Sequence, residues 1–233
     1  MTTYATNHQP ARTDVPAPNS VTPRTSRSWA LAGIGAGIAG IGTIVTSGMV
    51  NAVYDEKLQG DSAGIAAKLA DQTTPMFAFH TFAMVGAVLL VVFAAGLHRR
   101  LQAVAPGSTA PLIAFAGVLG TSVVIVLGSG LDTEFIMGFV GDQQIDPANA
   151  ALYNHWIGTI PWIWALAGLA GLAVFAVSRG AGVPRWIGLV GLVLGGLTLL
   201  LGVSPLQYMA GMTGPLWLLL TAAGFCFGDR AQR

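Results

Sequence analysis

Between Pro111 and Leu131 the chain runs twenty-one residues without a charge. It then meets Asp132, Thr133 and Glu134 before the apolar pattern resumes at Phe135-Ile136-Met137. At a helical rise of about 1.5 Å per residue such a run is roughly 31 Å long, enough to cross a hydrocarbon core of about 30 Å. The stretch predicts a transmembrane helix with two carboxylates at or just inside one mouth. Acids so placed are costly unless they face water or a partner, so they mark a candidate pathway or site.

Five further apolar runs share this character: Trp29–Val50, Pro75–Leu97, Tyr153–Val177, Trp186–Val203 and Met212–Phe227. Each reaches or approaches the roughly 17–25 residues that a spanning helix needs. The connections 98–110, 178–185 and 204–211 are too short to hold a soluble domain. Only 9% of residues are charged, against roughly 25% in soluble domains, and that excludes an ordinary water-facing surface. The 31 glycines suit helices that approach closely in lipid, where small residues replace a hydrophobic driving force between helices. The expected fold class is all-α, a polytopic membrane bundle of six transmembrane helices over residues 29–228, with outer segments 51–74 and 132–152. A Pro-, Thr- and Ser-rich tail over 1–28 lacks apolar periodicity and reads as disordered. It is too long and polar for the n-region of a signal peptide, and the run after it exceeds an h-region, so the first span is expected to be retained. Residues 229–233 form a short end.

Charge sets the orientation. With the N-terminus inside, the cytoplasmic segments hold Arg12, Arg24, Arg27, Arg99, Arg100, Arg179, Arg185, Arg230 and Arg233, and only Lys57 and Lys68 of the eleven basic residues lie outside. Asp55, Glu56, Asp61, Asp71, Asp132, Glu134, Asp142 and Asp146 fall on the outer side. The basic bias predicts both termini in the cytoplasm of a cell membrane, and the acids agree with it. A net charge of +1 argues against a nucleic-acid surface, so the expected partner is the lipid bilayer, with a small-molecule ligand and a second copy of the chain as further candidates. Cys226 is alone and cannot close an intrachain disulfide.

Local patterns fill in the outer side. Ile65, Ala66 and Leu69 share one face of a short amphipathic helix that Asp61 or Ser62 can cap, with Lys68 and Asp71 pointing elsewhere. It reads as an interfacial helix, either a lid or a spacer that shields helix ends. Asp146-Pro147 is an N-cap followed by Pro at the first helical position, so the fourth helix can begin at Pro147 and project beyond the lipid. Gly35, Gly37 and Gly40 have the spacing of a dinucleotide fingerprint, but no strand precedes them and they lie inside a span. Gly33, Gly37, Gly40 and Gly42, with Gly191 and Gly195, read instead as packing faces.

Candidate chemistry lies in two histidines and the acids. Counted from the basic ends of their helices, His80, Asp132 and His155 lie roughly 27, 31 and 35 Å up, which brings three ionisable groups to one level. His80, Asp132, Glu134 and His155, walled by Trp156, Trp162, Trp164 and Tyr208, make a candidate ligand pocket, and Pro161 is placed to kink the helix nearby. Two imidazoles and a carboxylate (His80, Asp132, His155) are also a donor set for a transition metal such as Zn²⁺ or Fe²⁺, and imidazole ligates haem. No H-E-x-x-H or similar local spacing supports the metal. The competing reading is interfacial: His at a wet helix mouth, Trp and Tyr in an aromatic belt. His98 beside Arg99-Arg100 reads as an anchor, and His8 as tail.

The Arg-flanked runs, the acidic outer loop and Tyr153-Asn154-His155-Trp156 opening the fourth helix together resemble small bacterial multi-pass membrane proteins of the actinobacterial type, of unassigned function, with Ala/Gly/Val-rich spans. The resemblance covers about residues 29–228 and implies membrane residence and a helical bundle, with no activity to carry over. The His–Asp set is also similar to membrane hydrolases that hold zinc between helices, although their further serine and histidine motifs are not evident here. Three functions are therefore expected in turn: binding or transport of a small ligand in an outward-facing polar pocket, metal-dependent hydrolysis or haem redox chemistry on the same residues, or a structural membrane subunit.

Overall fold

The computed structural model describes residues 27–141, 145–180 and 182–229. The tail expectation over 1–26, and the placements of Asp142, Arg230 and Arg233, lie outside the described residues. Among the described residues the chain is all helical, and six helices are long and apolar enough to cross a membrane: Ser28–Met49, Thr73–Val104, Ala110–Val140, Pro147–Ser178, Arg185–Val203 and Gln207–Gly228. The protein is an integral membrane bundle.

Of the ten α-helices among the described residues, nine build the spans. The first span is α1 (Ser28–Met49), and α2 (Ser62–Ala70) lies in the connection to α3 (Thr73–Val104), which is the second span. The third span joins α4 (Ala110–Gly128) to α5 (Asp132–Val140) through a turn at 129–131. The apolar run therefore does not end at Leu131 but continues past the acids. The fourth joins α6 (Pro147–Ile157) to α7 (Ala165–Ser178) across a break that holds a 3-10 turn, Ile160–Trp162. It does start at Pro147, with the Asp146 carboxylate accepting from the Ala148 N–H at 2.8 Å, the capping expected of Asp-Pro. The fifth span is α8 (Arg185–Val190), a π turn (Gly191–Gly195) and α9 (Gly196–Val203); the sixth contains α10 (Ala210–Ala223) and ends in a π turn, Gly224–Gly228.

Small residues decide which helices touch. α1 packs along α3 and α10, α3 along α4, α4 along α7, and α7 along the fifth span. A Cβ on Gly37 would fall 2.9 Å from the Leu219 Cα, and one on Gly195 would fall 2.8 Å from the Gly171 Cα. At these two crossings backbone meets backbone, and any side chain larger than hydrogen would force the helices apart. The outward faces carry Leu31, Ile38, Val45, Val88, Leu112, Val123, Val193 and Leu200 in exposed positions, a surface that water would penalise and acyl chains accept.

Two apolar cores result. The larger lies inside the bundle around Phe93, Trp164, Trp217 and Phe225. The smaller sits at the acid-rich end, where Val50, Ala52, Ile65, Leu69, Met76, Phe79, Phe135, Ile136, Ala150, Tyr153 and Ile157 pack together. It gathers α2, α5, α6 and the first turns of α3 into a cap over that mouth. The amphipathic segment thus folds into the cap: Ile65 and Leu69 are buried, and the Asp61 carboxylate caps the Gly64 N–H at 2.9 Å.

Candidate functional site

Asp132 is the first residue of α5, immediately after the turn that interrupts the third span, and it has no exposed surface. A carboxylate removed from water at a helix N-terminus needs donors. Two side chains from other helices supply them. The Tyr153 hydroxyl on α6 donates to Oδ1 at 3.0 Å, and His80 Nδ1 on α3 lies 3.1 Å from Oδ2. His80 remains partly exposed, with 30% of its side-chain surface accessible, so the cluster has one wet end and one dry end.

His155 and Glu134 do not join it. Residues two apart on a helix point about 200° away from each other. Once Tyr153 faces Asp132, His155 must face the opposite way, and once Asp132 faces inward, Glu134 must face out. Both are exposed. The His155 ring meets the Tyr54 ring edge-on, with centroids 5.9 Å apart. The metal triad of His80, Asp132 and His155 is thus not brought together; among the described residues no three His, Cys, Asp or Glu side chains converge. Height along the helix was legible in the sequence, but helix phase decided membership. The second partner, Tyr153, had a signal available: Ala150, Tyr153 and Ile157 form one i, i+3, i+7 face, and all three are buried.

Two of the remaining candidates, Trp162 in the break of the fourth span and Tyr208 just before α10, meet elsewhere. A cavity of about 520 Å³ is lined by Tyr54, Gly158, Thr159, Trp162, Tyr208, Met209 and Met212. Trp162 and Tyr208 therefore wall a pocket, but one distinct from the Asp132 cluster. The Trp162 indole donates to the Ser47 hydroxyl at 2.7 Å, which pins the ring to the end of α1. Burial pushes the Tyr54 phenol above its ordinary pKa, so it stays a neutral wall. Trp164 is instead buried in the bundle against Gly40 and Gly214. Trp156 donates to the Leu127 carbonyl at 3.3 Å, beside the Gly130 N–H that the same carbonyl accepts at the break in the third span.

The two interrupted spans face each other at this level. A Cβ on Gly128 would fall 2.8 Å from the Pro161 ring, so the end of α4 and the break before α7 are in direct contact. Asn154 ties the same region to the first span: its side chain donates to the Val50 carbonyl at 2.6 Å and accepts from the Val53 N–H at 3.0 Å. Tyr153, Asn154, His155 and Gly158 thus send one short helix toward the carboxylate, the α1 connection, Tyr54 and the cavity in turn.

Comparison with family models, curated proteins and solved structures finds no match. Function is read from the geometry.

Proposed function

We propose that this protein binds a small organic cation in the cleft between Tyr54, Trp162 and Tyr208, on the outer side of a bacterial cell membrane with both termini in the cytoplasm. The observation that carries the reading is the cleft: about 520 Å³, within the size range of small-molecule sites, walled by three aromatic rings and two thioethers, with no charged side chain in its lining. Aromatic faces attract a cation that has shed its water, and methionine adapts its shape to the occupant. Around that mouth stand Asp55, Glu56, Asp61, Asp71, Glu134 and Asp146 against Lys57 and Lys68. Their field raises the local concentration of cations and repels anions.

Tetraphenylphosphonium in nanodiscs is the probe, with tetraphenylborate as the anion of the same shape. The cation should bind saturably, and Trp162→Ala or Tyr208→Ala should each weaken it by about tenfold, as expected for the loss of one desolvated cation–π contact. Uptake unchanged in both variants, or equal for the anion, means partition into lipid and refutes the cleft. The orientation rests on the Lys/Arg asymmetry. In a Cys226→Ala background, a cysteine at position 61 should react with an impermeant maleimide on intact cells, and one at position 99 only after permeabilisation.

Transport is the second reading, and the facing breaks at 129–131 and 158–164 favour it. Interrupted helices are tolerated at membrane depth where they line a cavity or a path, and transporters build their sites on them.

A further inference from the structure

At the opposite, arginine-rich end a second cavity of about 280 Å³ lies where the fourth span ends and the fifth begins. Its lining is Phe175, Ser178, Arg179, Arg185 and Leu189. Arg179 and Arg185 are exposed, and neither forms an ion pair or hydrogen bond among the described residues. Arg100 on the same end is committed elsewhere: it meets Asp229 Oδ2 at 2.6 Å and donates to the Gly182 carbonyl. The Ser178 hydroxyl is also spoken for, donating to the Phe175 carbonyl at 2.7 Å. The cavity therefore offers two uncompensated guanidiniums and no carboxylate in its lining.

The apolar part of the lining has a regular place. Phe175 precedes Arg179 by four residues and Leu189 follows Arg185 by four, so each lies about 6 Å deeper along its helix. Leu189 is 54% exposed and stands on the lipid-facing surface. Trp186, next to Arg185, is 47% exposed while its ring packs over Gly224 and Gly228 of the sixth span, which marks the level of the membrane interface. From the surface inward the cavity presents paired cations and then an apolar wall, the complement of an anionic headgroup followed by an acyl chain.

We propose that this cavity is a binding site for the headgroup of an anionic phospholipid, with the phosphate between Arg179 and Arg185 and the start of an acyl chain against Phe175 and Leu189. Guanidinium suits a phosphate because it donates two parallel hydrogen bonds and never loses its charge. Basic pockets between spanning helices hold such lipids for that reason. The site is independent of the aromatic cleft at the other mouth.

The test counts lipid on the full-length protein by native mass spectrometry after exchange into phosphatidylglycerol, cardiolipin or phosphatidylcholine, and follows thermal unfolding in parallel. Wild-type protein should retain the anionic lipids and melt several degrees higher with them than with phosphatidylcholine. Arg179→Gln and Arg185→Gln should each weaken retention about fivefold, and the pair about thirtyfold, at roughly one phosphate contact per arginine. Arg99→Gln, an exposed arginine on the same end outside the cavity, separates a site from a diffuse surface field and should leave retention unchanged. Because both cavity arginines are exposed, the variants should fold; Arg179→Lys with Arg185→Lys keeps the charge and should retain part of the affinity. Equal retention of phosphatidylcholine, equal loss in Arg99→Gln, or no loss in the double variant overturns the proposal. Glycerol-1-phosphate giving the same stabilisation as the lipid overturns the lipid assignment, because the occupant is then a soluble anion.

Discussion

The bundle core and the cap over the acid-rich mouth bury polar groups in opposite ways. Inside the bundle, Thr43, Thr121 and Thr198 return their hydroxyls to the carbonyls four residues earlier, of Ala39, Gly117 and Leu194. Each such bond closes within one turn, and two hydroxyls reach a neighbouring helix in addition: Ser122 donates to the Ala87 carbonyl of α3, and Thr198 shares a 2.7 Å hydrogen bond with the Thr213 hydroxyl of α10. In the cap the bonds run between distant segments: Asn154 to Val50 and Val53, Tyr153 and His80 to Asp132, Gln72 to Asn51. The bundle is held by shape, through glycines that let backbones meet, whereas the cap is held by a few long-range polar contacts over a small apolar cluster. A shape-held core tolerates loss of a hydroxyl and rejects added bulk. A cap held by a few polar contacts should show the reverse.

The largest expected effect breaks the cap. Asp132→Ala leaves the buried Tyr153 hydroxyl without its acceptor, which costs about 1–3 kcal/mol, and also takes away the partner of the partly exposed His80 ring. Hydrogen exchange should report it as faster opening of α2, α5 and α6 with the bundle spans little changed. The same residues test membership of the cluster. Asp132→Ala combined with His80→Ala should be non-additive by about 0.5–3 kcal/mol, while Asp132→Ala combined with His155→Ala should add. Coupling to His155 as strong as to His80 would contradict the phase of α6 described above.

The next effect breaks the bundle by volume. Gly171→Val places two methyl groups where the fourth and fifth spans touch backbone to backbone, 2.8 Å from the Gly195 Cα for the Cβ alone. Overpacking of this kind costs about 1–3 kcal/mol. Unfolding in detergent should lose that stability, whereas Thr121→Val, which removes a hydroxyl bonded only to its own helix, should change little. If Thr121→Val cost more than Gly171→Val, the contrast between the two cores would be wrong.

The two cores also differ in how far they could be read from sequence. The six spans were legible because lipid imposes one requirement on every residue of a run, and Gly33, Gly37, Gly40, Gly42, Gly191 and Gly195 all proved to lie at crossings with neighbouring side chains or backbone. The capping of α2 by Asp61 and of α6 by Asp146 was equally local and equally legible. The site was legible as a height, while the helix faces taken to share one interior did so for His80 and Asp132 and not for His155. His80 and Asp132 met because both height and phase agreed; His155 and Glu134 matched in height and failed in phase. Asn154 and Tyr54 escaped because nothing local to an uncharged polar side chain names the partner it will find, and Tyr153 showed only the face on which it would be buried. The pairing of Arg100 with Asp229, 129 residues apart, escaped for the same reason, since nothing local to either residue names the other.

The smallest expected effect sharpens the comparison at the cap's wet rim. Lys68 on α2 meets Asp55 Oδ2 at 2.9 Å, with 35% and 29% of the two side chains exposed. The Lys68 ammonium, helped by the Lys57 backbone N–H, holds the Asp55 carboxyl below its ordinary pKa. A carboxyl whose pKa is lowered in the folded state adds stability that is fully present above its unfolded pKa. That stability is lost as pH falls through the folded value, so the window lies below about pH 4. Lys68→Ala should therefore raise the Asp55 pKa toward the ordinary carboxylate range and leave the pH dependence above about pH 5 unchanged. Water screens exposed pairs, so the change should be visible in a carboxyl-carbon NMR titration of Asp55 and nearly absent from the melting temperature. A melting loss in Lys68→Ala rivalling that of Asp132→Ala would mean that α2 is held by its rim and not by Ile65 and Leu69 underneath, and the cap would then be a charge-held lid in place of a packed one.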